Sequence, residues 1–279
     1  MKPRHVSRNL MKTYLQYYII LILFAFNTYG FAQPGWSQIG GSLNDLSKSD
    51  IDNCLNSYCK IKYITINSGT DLNKLSILKD LESLALHFDL DKFPEEFSKL
   101  ESLKYLIVIS DKLKDISTLG KLKNLRHLTL LDYTKKQIIK GFQFLQNVEE
   151  LEITGEFKNV AGIEDMIKLR KLSLSSKNLR CLPDFIVQNK VEELQLTKLQ
   201  EKFNFRNLSL LPNLKFFSIY ESSIIEFPNN LSKEVRKVTI WRAEKLTNIK
   251  NIELSNNLEK LSIYFTAIES LPSSNFLSK

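Results

Sequence analysis

Apolar residues recur along most of this chain in one pattern, apolar-x-x-apolar-x-apolar, which returns every 20 to 23 residues. The clearest copy, LRKLSLSSKNLRCLPDFI at 169–186, continues beyond this core with Leu179 and Leu182-Pro183. Ten copies follow one another without a gap, and their opening residues are Ile61, Leu81, Leu103, Leu125, Val148, Leu169, Val191, Leu214, Val235 and Leu258. A repeat of this length indicates a solenoid, in which each copy is one supersecondary unit stacked on the next.

The alternation inside each copy predicts a short β-strand. In the copy that opens at Leu169, Leu172 and Leu174 would face one side of the strand and Ser173 the other. One strand with its return turn cannot bury its own apolar face, but stacked neighbours can, so the strands are predicted to form a parallel sheet on the inner side of a curved solenoid. Ten strands about 4.8 Å apart would span on the order of 45 Å.

The pattern resembles the leucine-rich repeat family from about Ile61 to the C-terminus. Four copies with an apolar-Pro pair are similar to the L-P repeats of bacterial members, at Phe93-Pro94, Leu182-Pro183, Phe227-Pro228 and Leu271-Pro272. The segments at 113–122 and 160–169 are similar to internalin-type repeats, which have a short convex helical turn. The resemblance implies an α/β solenoid, a leucine-rich repeat horseshoe with a concave parallel sheet of about ten strands, in a domain of ten repeats at 61–279.

The chain departs from the family at one position. Members usually carry Asn eight residues after the opening Leu, where its amide satisfies backbone groups of the turn. The ten equivalent residues here are Gly69, Asp89, Asp111, Tyr133, Glu156, Lys177, Leu199, Ser222, Ala243 and Thr266. We therefore expect the turns to satisfy their backbone hydrogen bonds in another way.

The N-terminus has the features of a secretory signal. Four basic and no acidic residues occupy the first twelve positions, the apolar run YYIILILFAF follows at 17–26, and Gly30-Phe31-Ala32 supplies small residues at −3 and −1. This predicts a signal peptide at 1–32 and a secreted or periplasmic protein with no membrane span after signal removal. The alternative is an uncleaved N-terminal membrane anchor, given the bulky Tyr29 and Phe31.

The segment after the signal predicts a linker and a cap. Residues 33–42, QPGWSQIGGS, are rich in Gly, Pro and Ser and are typical of a linker. Apolar residues near helical spacing then predict an N-terminal capping segment at 43–60, which would cover the first repeat. Cys54 and Cys59 in this segment could form a disulfide in a secreted chain; the alternative is that both are small buried apolar side chains.

The C-terminal end of the repeats leaves two alternatives open. After Leu271-Pro272 only SSNFLSK follows. Either Phe276 and Leu277 fold back over the last repeat, or the exposed strand edge frays or pairs with another chain.

Charge and motif content exclude several kinds of function. The formal net charge of +8 falls to +4 when the four basic residues of the signal are removed, which is not the footprint of a nucleic-acid-binding protein. Three Cys and three His lack the ligand spacing of structural zinc, so no metal or other cofactor is predicted. No G-x-S-x-G, Gly-rich phosphate loop or H-E-x-x-H occurs, and we predict that the chain is not an enzyme. His127 and Glu150, in neighbouring copies, are predicted to form a polar pair without catalytic partners.

The residue after each opening position is charged in all ten copies. The series is Lys62, Glu82, Lys104, Arg126, Glu149, Arg170, Glu192, Lys215, Arg236 and Glu259. Because the signs largely alternate, we expect attraction between adjacent strands, each pair contributing about a few tenths of a kcal/mol. Strand register and solubility are the predicted roles of this series.

Aromatic residues concentrate in three consecutive copies near the C-terminus. Tyr220, Trp241 and Tyr264 each lie six residues after an opening position. Aromatic and Arg side chains anchor binding interfaces because they bury large areas at low entropic cost. The predicted ligand-binding residues are Phe216, Tyr220, Trp241, Arg242, Tyr264 and Phe265. The alternative is that the aromatics serve β-propensity alone. A weaker second patch would comprise His87, Phe88 and Tyr105.

The sequence thus predicts a secreted or periplasmic, non-catalytic binding module. Its partner would be a protein or peptide engaged through the concave face. The alternative is an internalin-like surface adhesin or glycan-binding protein, because Tyr and Trp also stack on sugar rings and cations.

Overall fold

The computed structural model describes residues 62–66, 72–131, 139–185, 189–254 and 257–271. The predicted signal peptide, linker and capping segment, together with Cys54, Cys59, Phe276 and Leu277, lie outside these residues, and what was inferred for them stays a prediction. None of the described helices has the length and apolar character that a membrane crossing requires.

The described residues form ten β-strands in one parallel sheet, and the strand order equals the chain order. The strands are β1 (Tyr63–Ile66), β2 (Ser83–His87), β3 (Tyr105–Ile109), β4 (His127–Leu131), β5 (Glu150–Thr154), β6 (Lys171–Ser175), β7 (Glu193–Thr197), β8 (Phe216–Tyr220), β9 (Lys237–Ala243) and β10 (Lys260–Thr266). Each strand begins two residues after a predicted opening position. The predicted horseshoe-like α/β solenoid with about ten parallel strands is therefore confirmed.

The strands pair without offset, so equivalent residues of successive copies lie side by side. Leu151 of β5, for example, lies between Leu128 of β4 and Leu172 of β6. Such alignment lets the apolar positions of all copies merge into one core. Because one strand of slipped register would turn its apolar residues outward, burial of this core holds the register.

Short 3-10 helices occupy the return side of most coils. They span Leu72–Ile77, Glu95–Lys99, Ser117–Lys121, Phe142–Phe144, Ile163–Asp165, Arg206–Leu210 and Lys250–Leu254. The helical turns expected in the two internalin-like segments are thus present. Gly141 and Gly162 precede two of these helices with φ of 106° and 92°, a backbone conformation that side chains with a Cβ rarely adopt. A Cβ at Gly141 would also lie 2.6 Å from the backbone nitrogen of Ser117, so the coils stack closely there.

Buried serines replace the missing asparagines in three of the turns. Each lies seven or eight residues after an opening position and binds the backbone of the preceding copy: Ser110 Oγ accepts from Leu90 N at 2.9 Å, Ser176 Oγ donates to the Phe157 carbonyl at 2.7 Å, and Ser222 Oγ accepts from Leu199 N at 3.0 Å. A hydroxyl can both donate and accept, which suits a turn where both kinds of backbone group need a partner.

Asparagines do form a ladder, but on the return side of the coils. Their Nδ2 groups donate to carbonyls one copy earlier: Asn207 to Leu182 at 2.8 Å, Asn230 to Phe205 at 2.8 Å and Asn251 to Phe227 at 3.0 Å. These asparagines do not occupy the position eight residues after the opening residue, where the family usually carries Asn, and their contacts were not predicted. Their 21- to 23-residue spacing, with Leu or Ile after each Asn, is the signal that would have revealed them.

The predicted attraction within the charged series is confirmed. The ion pairs are Lys62–Glu82 and Lys104–Glu82, both at 2.9 Å, Arg126–Glu149 at 3.4 Å, Arg170–Glu192 and Lys215–Glu192, both at 3.3 Å, and Arg236–Glu259 at 3.8 Å. Hydrogen bonds from Lys104 and Lys62 hold the pKa of Glu82 below its ordinary value. Since most of these groups are well exposed, each pair stabilises the fold only slightly.

Candidate functional site on the concave face

Strand alternation leaves every second side chain on the concave face of the sheet. In β8, Phe217 and Ile219 are buried, whereas Phe216, Ser218 and Tyr220 are not. The same division holds along most of the sheet, so the concave face consists of three columns that run from strand to strand. They lie two, four and six residues after the opening positions.

The predicted aromatic residues form a continuous row in the third column. Tyr220, Trp241 and Tyr264 are register partners in β8, β9 and β10. The ring centroids of Tyr220 and Trp241 are 6.4 Å apart, and those of Trp241 and Phe265 are 6.2 Å apart in an edge-to-face arrangement. Tyr264 and Phe265 are 56% and 67% exposed. We call these three register partners with Phe265 the aromatic row.

Arg242 belongs to the same cluster. Its guanidinium carbon lies 4.3 Å from the centroid of the Trp241 ring, and its Nη1 atom lies 3.8 Å from Glu221 Oε1. Stacking on the indole holds the guanidinium beside the aromatic row while leaving the side chain about half exposed. Arg242 can therefore present hydrogen-bond donors to a ligand that contacts the row.

Phe216 stands apart from the other predicted residues. It is exposed on the concave face but lies in the first column, four residues before Tyr220 on the same strand, or about 13 Å away. Five of the six predicted binding residues thus form one cluster, and Phe216 faces them across the width of the sheet.

A backbone feature that was not anticipated from the sequence adds Arg242 and Phe265 to the site. Lys198, Glu221, Arg242 and Phe265, each seven residues after an opening position, have φ between 46° and 62°. This left-handed conformation interrupts the strand alternation, so two successive side chains, such as Trp241 and Arg242, both point away from the core. The residues on either side of that pair, Ile240 and Ala243, are fully buried.

The left-handed residues recur in four consecutive copies, from β7 to β10. For a residue with a Cβ this conformation costs about 1–2 kcal/mol. The backbone still pairs between copies, since the N–H of Glu221 donates to the Trp241 carbonyl at 2.9 Å. Strain repeated at one edge of one surface patch is typical of a functional site. The signal in the sequence is a three-residue interval between buried apolar residues, as from Leu196 to Leu199 and from Ile240 to Ala243.

A glycine at one of these positions should stabilise the fold. We expect Glu221→Gly to raise the free energy of unfolding by about 0.5–1 kcal/mol, because relief of the left-handed strain exceeds the entropic cost of glycine. The exposed Glu221–Arg242 pair that it removes contributes little. Urea unfolding followed by circular dichroism would measure the change.

The matched control is Gln195→Gly at a regular position of β7, where the same entropic cost of about 0.5–1 kcal/mol is not offset. If both variants lose stability equally, the left-handed residues are not strained.

The centre of the concave face carries a polar cluster. Tyr105 and His127 stack with ring centroids 4.4 Å apart, and His127 Nδ1 lies 3.1 Å from Glu150 Oε2. Burial raises the pKa of Glu150, but the hydrogen bond and Coulombic attraction of His127, together with Lys171 and Arg170, outweigh it and leave the pKa below its ordinary value. Burial raises the pKa of Glu152 on the same strand, and the nearby Lys171 only partly opposes this. The predicted His127–Glu150 pair is thus formed.

The weaker second patch is not a cluster, and that prediction was wrong. Tyr105 lies in the first column and stacks on His127, whereas His87 lies in the third column beside Ile109. Phe88 is partly buried against the core. In the described part of the chain, no group of three or more His, Cys, Asp or Glu side chains could hold a metal ion.

Similar proteins were found by comparing structures and not by comparing sequences. No protein-family model matches the sequence, and a comparison with curated proteins found no match. An internalin from Listeria monocytogenes is similar with a TM-score of 0.54 and 17% identity, over 83% of this chain and 71% of that one. A chain of the Toll–Spatzle complex from Drosophila is similar with a TM-score of 0.55 and 16% identity, over 80% of this chain and 35% of that one.

Structural similarity at such low sequence identity shows a shared fold and does not show a shared function. The ten-copy apolar pattern, the parallel sheet in chain order and the likeness to these solved structures agree with one another. The chain has the fold of a leucine-rich repeat protein.

Proposed function

We propose that this chain is a non-catalytic binding module that engages a protein or peptide through the concave face of its solenoid. The observation that carries the proposal is the exposed aromatic row with Arg242 stacked against it. Large aromatic side chains and arginine dominate the binding energy of protein interfaces. The N-terminal segment supports placement of the module outside the cytoplasm, in the periplasm or the medium.

A role in stabilising the fold does not explain why the aromatic row is present. The core beneath it is complete without these rings, since Ile240 and Ala243 are fully buried. More than half of the Tyr264 and Phe265 surface remains in water, so their contribution to folding is small compared with that of a buried ring. The left-handed backbone that turns Phe265 outward adds strain. Binding of a partner would give these features a use.

The ring geometry favours a protein or peptide over a glycan. Sugar rings stack on open aromatic faces, but Arg242 lies 4.3 Å over the Trp241 ring. Neighbouring rings are tilted by 56° and 85° and do not form a flat platform. The internalin-like adhesin remains the second candidate, supported by the structural likeness. The similar Toll–Spatzle structure is a complex of two proteins, which supports the choice of a protein ligand.

We expect Trp241→Ala to weaken partner binding by about tenfold or more, which corresponds to at least about 1.4 kcal/mol. The full chain and the variant would be immobilised and used to capture proteins from the envelope fraction of the source organism. The affinity for the best-retained protein would then be measured by biolayer interferometry. Far-UV circular dichroism and the melting temperature should remain nearly unchanged.

The control is Phe144→Ala, which removes another half-exposed aromatic side chain from the return side of the solenoid. It should leave binding unchanged. Unchanged binding with a collapsed melting transition in Trp241→Ala would show that the row is structural. Retention of glycans on an array, lost on the same substitution, would favour the adhesin.

A further inference from the structure

Two lysines lie side by side on the concave face opposite the aromatic row. Lys237 of β9 and Lys260 of β10 are register partners in the first column. Like charges at directly adjacent strand positions repel each other. The pair therefore brings two positive charges to one part of the concave face.

Earlier in the first column, polar side chains of neighbouring strands are joined to carboxylates. His127 is paired with Glu150 at 3.1 Å, and Lys171 with Glu193 at 3.2 Å. Phe216 lies between Glu193 and Lys237 in the register and separates them by two strand spacings, or about 10 Å. The concave positions of β9 and β10 carry no carboxylate.

Hydroxyl groups form the floor between the lysines and the aromatic row. Ser218, Thr239 and Ser262 are register partners in the second column, and all three are partly exposed. The lysines and the aromatic row lie on either side of this floor, about 13 Å apart along the strands. The result is a groove with one basic wall, one aromatic wall and a floor of small polar side chains, which we call the C-terminal groove.

An extended peptide fits this arrangement. Successive side chains of an extended chain point to opposite sides, so a peptide lying along the floor would direct alternate residues to the two walls. Acidic side chains would meet Lys237 and Lys260, and aromatic or apolar side chains would meet Tyr220, Trp241 and Tyr264. Arg242 adds a further cation beside the aromatic wall.

We propose that the C-terminal groove binds an extended segment of its partner in which acidic residues alternate with aromatic or apolar ones. This inference rests on the proposed function, because it assumes a protein or peptide ligand on the concave face. Charge complementarity with the basic wall selects the acidic side chains, and the aromatic wall selects the others.

A synthetic peptide of alternating glutamate and tyrosine tests the inference directly. Its binding to the full chain would be measured by fluorescence anisotropy, beside peptides in which glutamine or lysine replaces glutamate. We expect the glutamate peptide to bind at least about tenfold tighter than the glutamine peptide at low ionic strength, and the lysine peptide to bind weakest. Raising the salt from about 50 mM to about 500 mM should reduce the difference, because screening shortens the range of the attraction.

The double variant Lys237→Gln/Lys260→Gln should lose about tenfold in affinity for the glutamate peptide at low salt. Its matched control is Lys99→Gln/Lys250→Gln, which makes the same change in net charge at exposed sites in 3-10 helices of the return side. The control should bind as the unaltered chain does. An equal loss in both variants would reduce the effect to net charge and overturn the inference.

Two further outcomes separate this inference from the proposed function. If the three peptides bind equally, or if an acidic polysaccharide such as polygalacturonate binds while the peptides do not, the acidic-peptide groove is wrong. If, under those results, capture of a protein still depends on Trp241, the proposed binding module is supported and only the acidic-peptide groove is rejected. If capture is also independent of Trp241, both fail.

Discussion

Replacing Phe217 with alanine is expected to lower the free energy of unfolding by about 3–5 kcal/mol. Phe217 is fully buried in β8, beneath the C-terminal groove, and its ring meets that of Phe227 edge-to-face with centroids 6.2 Å apart. Removal of the ring loses its transfer free energy and leaves a cavity that the coils above and below cannot close, because their backbones are tied by the sheet. Chemical denaturation would measure the loss.

We also expect the destabilisation caused by Phe217→Ala to be local. In a solenoid each copy is stabilised by its neighbours, so a cavity in the eighth copy should loosen that copy and the adjoining ones before the distant ones. Amide hydrogen exchange should therefore speed up in β7 to β9 more than in β2 to β4. The same truncation at the half-exposed Phe144 should cost less than about 1 kcal/mol. Equal effects of the two substitutions would contradict a continuous apolar core.

Loss of one amide from the asparagine ladder should be the next most damaging change. Asn207→Ala is expected to lower the free energy of unfolding by about 1–3 kcal/mol. Asn207 is buried, and its Nδ2 group donates to the Leu182 carbonyl at 2.8 Å and to Asp184 Oδ1 at 2.6 Å. Without it, the carbonyl would lose the partner that the folded chain provides. Urea unfolding of the full chain would test this.

Asn124 provides the matched control. Its Nδ2 group also donates to a carbonyl one copy earlier, that of Glu101 at 2.7 Å, but the side chain is exposed. Water can replace the amide there, so Asn124→Ala should cost less than about 1 kcal/mol. A similar cost for both substitutions would mean that burial does not set the value of these hydrogen bonds.

The strands could be predicted from the sequence because the pattern that produces each strand is local and is repeated in every copy. An apolar-x-x-apolar-x-apolar core recurs ten times, and each strand begins two residues after its opening residue. The charged series could also be anticipated, since equal spacing in the sequence places Glu82 beside Lys62 and Lys104. Neither inference needed knowledge of how side chains pack.

The candidate site could be predicted from the sequence only in part. The aromatic column was visible in the sequence, but the outward placement of Arg242 and Phe265 depends on φ values of 54° at both residues. Neither residue type favours that conformation. The register hydrogen bonds and the burial of Ala243 impose it, and both arise only when the copies stack. The proximity of Lys237 and Lys260 could have been inferred from their equal positions in consecutive copies.

The periodic apolar pattern by itself determined the solenoid, the number of its strands and the columns on its inner face, because stacking is the one way such copies can bury their apolar side chains. The tertiary structure alone decided which rings meet, how the left-handed residues place their side chains and which backbone groups the serine and asparagine side chains contact. These features depend on contacts between residues 20 or more positions apart, whose geometry is set by packing and not by local preference.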